Sequence, residues 1–213
     1  MAILMRAPEE CASWEWELND FAQPGLDSAL MVAARMSDVL RKHRLLEPGR
    51  LAWDWTVFGR GGTGLGASVA LWGALDGSEL AQRVRAAQPA SLPEAEPGFL
   101  VVSGAGTWLD AQGEARSELG LLELTVYPDE RNLAAEVAVF HDIWGYCDFK
   151  GVPHPEVQER NAPRLAAALR ELDALLGVPA RPGDPTYFGH AEGHGLVAPD
   201  LIDGLGPDLT DKL

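Results

Sequence analysis

The stretch YFGHAEGHG, residues 187–195, places His190 and His194 four residues apart with Glu192 between them. On a helix that spacing puts two imidazoles on one face, and a glutamate directly after the first histidine would complete a zinc-hydrolase motif. Here the glutamate sits one place too late, and Gly189, Gly193 and Gly195, with Pro185 upstream, disfavour a helix. The expected form is a glycine-rich loop that binds no cofactor. A divalent metal such as zinc enters only if that loop folds back onto a second concentration of ligand-type residues. The metal set would then be His141, His154, His190 and His194, with Asp142 beside them and Glu192 as general base.

That second concentration, His141 to Glu156, is a long connection between the last strand and the last helix, and loops of this length in compact domains go disproportionately with function. It holds His141, Asp142, Cys147, Asp148 and His154, together with Trp144, Tyr146 and Phe149, whose aromatic content argues against disorder. Trp144 lies outside any periodic pattern and is expected on the surface. With Tyr146, Asp148, Tyr187 and Phe188 it forms the candidate binding set, in which large aromatics supply the contact area. The plainer alternative gives Asp142 and Asp148 turn hydrogen bonds and leaves His154 exposed between two prolines.

Gly59, Gly61 and Gly64 satisfy G-x-G-x-x-G after a strand-like run, but a dinucleotide loop must open directly into a helix. The next stretch, ASVALWGAL from Ala67, alternates as a strand does, so a hairpin loop is expected. No Gly-Lys-Ser/Thr supports a P-loop, and no G-x-S-x-G supports a serine nucleophile.

Charge is the most unusual bulk property: 32 Asp plus Glu against 17 Lys plus Arg, a net −15. Such a field repels nucleic acid and anionic membranes and speeds encounter with a basic partner. It is equally what an acidic cytoplasmic protein carries for solubility. The longest apolar stretch is half a membrane span, and the N-terminal run lacks a signal-peptide pattern, so a cytoplasmic location is expected. Cys11 and Cys147, far apart and without C-x-x-C spacing, are expected as free thiols.

The elements are read from periodicity. Strand patterns cover Ser13–Leu18, Leu51–Phe58, Ala67–Leu75, FLVV from Phe99, TWLD from Thr107, Leu119–Tyr127 and Leu133–Asp142, with a PDERN turn between the last two. One helix is expected after a cap at Asp27, closing on Arg41, Lys42, His43 and Arg44, which makes His43 a surface residue. A second runs from a cap at Ser78 to about Gln88. The third starts at Asn161 with Pro163 in its first turn and stops at Gly177. The expectation is one α+β domain over residues 1–213: a mainly antiparallel sheet of six or seven strands with three helices on it, and residues 178–213 as a Gly/Pro-rich arm.

Two functions fit this pattern. One is an acidic binding protein, of the immunity or inhibitor kind, that captures a basic protein. The alternative is a metal-dependent hydrolase built on the C-terminal histidines.

Overall fold

Trp14 and Trp16 alternate with Glu15 and Glu17 along β1 (Ala12–Glu17), and only the tryptophans are buried. In the computed structural model, which describes residues 4–73, 75, 77–129 and 132–213, this alternation repeats across a sheet and assigns its two faces. The strands are β2 (Glu47–Val57), β3 (Gly61–Ala70), β4 (Glu96–Leu109), β5 (Ala115–Leu119), β6 (Leu122–Pro128), β7 (Leu133–Val139) and β8 (Arg181–Pro182). They pair antiparallel in the order β3-β2-β4-β6-β7-β1-β8, with β5 on the far part of β4.

Three helices, α1 (Leu26–Lys42), α2 (Ser78–Ala86) and α3 (Pro155–Leu176), supply the other half of the core. Leu30, Ala33, Met36 and Leu40 of α1 and Leu165, Leu169 and Leu172 of α3 meet Trp14, Trp16, Leu100, Leu124 and Val137 of the sheet. The result is the expected α+β fold. The opposite sheet face, which bears Glu15, Thr125 and Glu136, is left uncovered by these helices.

Several boundaries differ from the sequence pattern, each for a local reason. FLVV and TWLD are parts of one strand, β4, while the run 119–127 breaks at Gly120, whose φ of 65° turns the chain between β5 and β6. The strand expected from Ala67 begins earlier, at Gly61, inside the glycine stretch, and pairs with β2 as a hairpin that is bulged opposite Trp55. Ala74, Asp76, and Glu130 and Arg131 of the PDERN turn lie outside the described residues, as do the first three residues of the N-terminal run.

Gly25 and Gly77, not Asp27 and Ser78, occupy the N-cap positions of α1 and α2. Asp27 instead sits in the first turn and pairs with Arg85 of α2. His43 is half-buried rather than free on the surface, with Nε2 2.9 Å from Glu171 of α3.

The largest shift concerns α3. It starts at Pro155, whose fixed φ and missing N–H suit the first helical turn, so Asn161 and Pro163 fall in its interior. Asn161 is fully buried and does not cap. Its Oδ1 accepts the Leu109 N–H at 2.9 Å, and its Nδ2 donates to the carbonyls of Leu109 and Val157, both at 2.8 Å. One side chain thus satisfies both backbone groups at the end of β4 and fixes α3 against the sheet. Removing it leaves a buried donor and acceptor unpaired, so Asn161→Ala is expected to destabilise the fold by about 2–3 kcal/mol. Urea denaturation checks this, and an Asn161→Asp variant, which sets a buried carboxylate oxygen against the Leu109 and Val157 carbonyls, should lose at least as much.

Candidate functional site

The histidine-rich stretch is a β-hairpin. β9 (His190–Glu192) and β10 (Gly195–Val197) pair antiparallel across a two-residue turn, Gly193-His194. Gly193 has φ 55°, the left-handed conformation such a tight turn requires at its first position. The hairpin is held by β1 and α3: the Trp14 indole donates to the Gly193 carbonyl at 2.7 Å, and His194 Nε2 lies 2.7 Å from Asp173 Oδ2. The other oxygen of Asp173 accepts the Trp16 indole N–H at 2.8 Å and the Ala180 N–H at 2.9 Å. Asp173 therefore joins a helix, a strand, the arm and the hairpin turn.

The histidines are not gathered into a metal centre. His194 is engaged by Asp173. His154 Nε2 lies 3.1 Å from the Gly145 carbonyl, and His190 is half-buried within β9. His141 is buried, and burial together with the nearby Arg6 guanidinium holds its imidazole down at about 4, hence neutral. Among the described residues no group of three or more His, Cys, Asp or Glu side chains is placed to hold a metal ion.

The aromatic set divides. Trp144, expected at the surface, is fully buried within the short 3₁₀ turn Asp142–Trp144, where it packs into the main core. It lacks period because a single turn is too short to display one. Phe188 is also buried, edge-on to Phe149 with centroids 5.0 Å apart. Tyr146 and Tyr187 are exposed, Tyr187 by 70%. Asp148 makes turn bonds, accepting the N–H groups of Lys150 and Val152 at 2.9 Å each.

Beneath this segment Cys11, His141, Asp142 and Cys147 border a cavity of about 20 Å³, the room of a single water. Residues of the arm close it, with Gly206 N–H bonded to Gly151 O at 3.0 Å and Leu209 N–H to Phe149 O at 2.8 Å. Burial, with Asp142 and other carboxylates nearby, pushes the Cys11 thiol far up, and burial lifts Asp142 to about 7. A protonated thiol in a closed cavity of this size is suited to packing and not to attack on a substrate.

The uncovered sheet face is different in kind. Its register runs Glu15↔Glu136↔Thr125↔Val101↔Ala52↔Ser68 from β1 to β3, so two carboxylates stand directly across neighbouring strands at one end of a row of small side chains. Glu123 lies on the same face beside Ala138. Like charges directly opposite in a sheet are destabilising. Burial and the neighbouring carboxylates of Glu10 and Glu15 push Glu136 up to about 7. The Tyr127 hydroxyl, 3.4 Å from Glu136 Oε2, is pushed to about 12 by burial and that same carboxylate.

A groove of about 360 Å³ runs beside this pair, lined by Glu15, Glu17, Tyr127, Asp129, Glu136 and Arg181. It adjoins a second groove of about 540 Å³ that shares Gly98 and Asp129 and carries Glu94 and Glu96. Arg181, which lines the first groove, is paired with Glu17, and Glu94 of the second is paired with Arg60. Sequence reasoning placed Glu15 and Glu136 on strands without naming them as a site. The alternations Trp-Glu-Trp-Glu and Ala-Glu-Val show which face each takes, while the pairing of β1 with β7 is what sets them opposite.

Protein-family models, curated proteins and solved structures provide no match to this chain.

A carboxyl whose folded value is raised binds more protons folded than unfolded between its ordinary 4.5 and about 7, so stability falls as pH rises through that window. Glu136→Gln should remove this slope and, above neutrality, stabilise the protein by about 2–3 kcal/mol. Thermal melts across the pH range check both parts, with the variant and the native chain converging at acid pH.

Proposed function

We propose that this protein is a binding protein that captures a basic protein partner on its uncovered sheet face, as an inhibitor or immunity protein does. The observation that carries the reading is the direct opposition of Glu15 and Glu136 on a face that the helices leave open. A fold that opposes two carboxylates across strands holds an unfavourable pair in its free state, and a cation placed between them relieves it. The row of small residues beyond, Thr125, Val101, Ala52 and Ser68, gives a flat bed on which a partner element can lie without clashing. The two acidic grooves lead toward it, and the −15 charge steers a cationic partner into them.

Docking on this face carries a proton signature. With Glu136 at about 7 it is half protonated near neutrality, and a cation docked beside it drives the proton off. Calorimetric titration with an arginine-rich peptide, in buffers of different ionisation enthalpy, should register release of about half a proton per complex near neutral pH. Glu15→Lys with Glu136→Lys should slow association by about tenfold or more and abolish the proton release while the fold is retained. Equal association rates for the native and charge-reversed proteins would exclude this face as the docking surface.

A further inference from the structure

We propose that the protein pairs with a second copy of itself through the edge strand β3, the two strands running antiparallel about a two-fold axis at Ser68. The two ends of the sheet are built differently. At one end β8 is two residues long, ends in Pro182, and has Arg181 held by Glu17, features that blunt an edge. At the other, β3 is a ten-residue strand without proline or charge, and no strand of the described residues pairs with its outer side. The bulge opposite Trp55 interrupts its first half only. Gly66 to Ala70 pair residue by residue with Asp54 to Arg50, so a regular ladder edge is presented over that stretch.

Three features select a second copy as the occupant. First, charge: the interval between Asp54 and Asp76 is the longest in the chain without Asp or Glu. On a molecule of net charge −15, β3 itself carries no carboxylate and the Arg50 guanidinium lies on Ser68 Oγ at 2.8 Å, so a second copy meets less repulsion here than at an edge lined by acid. Second, shape: with Ser68 on the axis, Gly66 pairs with Ala70 of the other copy, and Trp72, two residues beyond Ala70, comes against the bulged stretch Gly62–Gly66 of that copy. Trp72 is 93% exposed, and a Cβ built on Gly64 would meet nothing within 4 Å. An exposed indole in one copy thus meets a stretch of the other that carries glycine at three of five positions, 62–66, and an aromatic laid across edge glycines is a known stabiliser of strand pairing. Third, continuity: Leu71 N–H is still bonded to Gly49 O at 3.0 Å, so the backbone leading to Trp72 is held in line with the edge.

Pairing of this kind runs the two sheets into one and sets the two uncovered faces side by side, each with its Glu15–Glu136 pair at the outer end. It does not depend on the partner proposed above, and ionic strength separates the two. Salt screens the repulsion between copies and tightens the dimer, whereas it weakens capture of a basic partner.

Sedimentation velocity on the untagged full chain, over a range of protein and salt concentrations, tests it. The native chain should sediment as a dimer whose dissociation constant falls as salt is raised. Ser68→Lys, which sets two ammonium groups opposite each other on the axis, should weaken the dimer by about tenfold or more, and Trp72→Ser should act in the same direction. Far-ultraviolet circular dichroism of both variants should match the native chain, since neither side chain is buried. A native chain that stays monomeric at high protein and salt concentration, or a dimer that both variants leave intact, overturns the proposal.

Discussion

The burial of Trp14 and Trp16 is the constraint on which the rest of the arrangement depends. Successive side chains of a strand point to opposite faces, so driving both indoles into the helix-covered core obliges Glu15 and Glu17 to face the other way. The same rule on β7 buries Ala135 and Val137 and turns Glu136 outward, and the β1–β7 register then sets Glu15 against Glu136. Magnitudes decide the outcome: the two buried indoles contribute about 4 kcal/mol each, while holding Glu136 ionised in this register costs about 3 kcal/mol. A one-residue slip of β1 would separate the charges and expose both tryptophans, so the register with paired carboxylates wins.

A few polar side chains hold the other layers to this sheet. Asn161 closes the end of β4 onto α3, and Asp173, twelve residues further along the same helix, receives the Trp16 indole, the Ala180 amide and His194. Their positions on α3 explain why the arm can be Gly/Pro-rich and still ordered: its path is tied to the helix and to β1 at successive points. Close packing of backbone does the rest. Gly151, with φ 77°, lies where an added Cβ would meet the Gly206 carbonyl, so only glycine lets the arm seat over Cys147.

The fold class was legible because alternation in β1, β2, β6 and β7 and the 3.6-residue stripes of α1 and α3 are long enough to show their period. Boundaries were less so. Asn161-Ala-Pro163 carries the residues of a helix start, yet Pro155 opens the helix, because an amide side chain buried against a strand end looks the same in sequence as a cap. Trp144 was misplaced for want of any period in a single turn. The histidine spacing pointed to metal chemistry only under a helical backbone, and Gly193 makes that backbone a hairpin. Glu15 and Glu136 lie far apart in the chain, and their opposition is a property of strand pairing, which a single sequence does not display.

These two carboxylates share one uncovered face, and burial beside its acidic neighbours keeps a proton on Glu136 near neutrality. A carbon-13 titration of the glutamate side-chain carboxyls measures this directly, with Glu136→Gln assigning the signal. The expected result is one glutamate, Glu136, with a midpoint near 7, shifting downward when Glu15 is replaced by Gln. A Glu136 carboxyl that titrates near its ordinary 4.5, or that ignores the loss of Glu15, would contradict it.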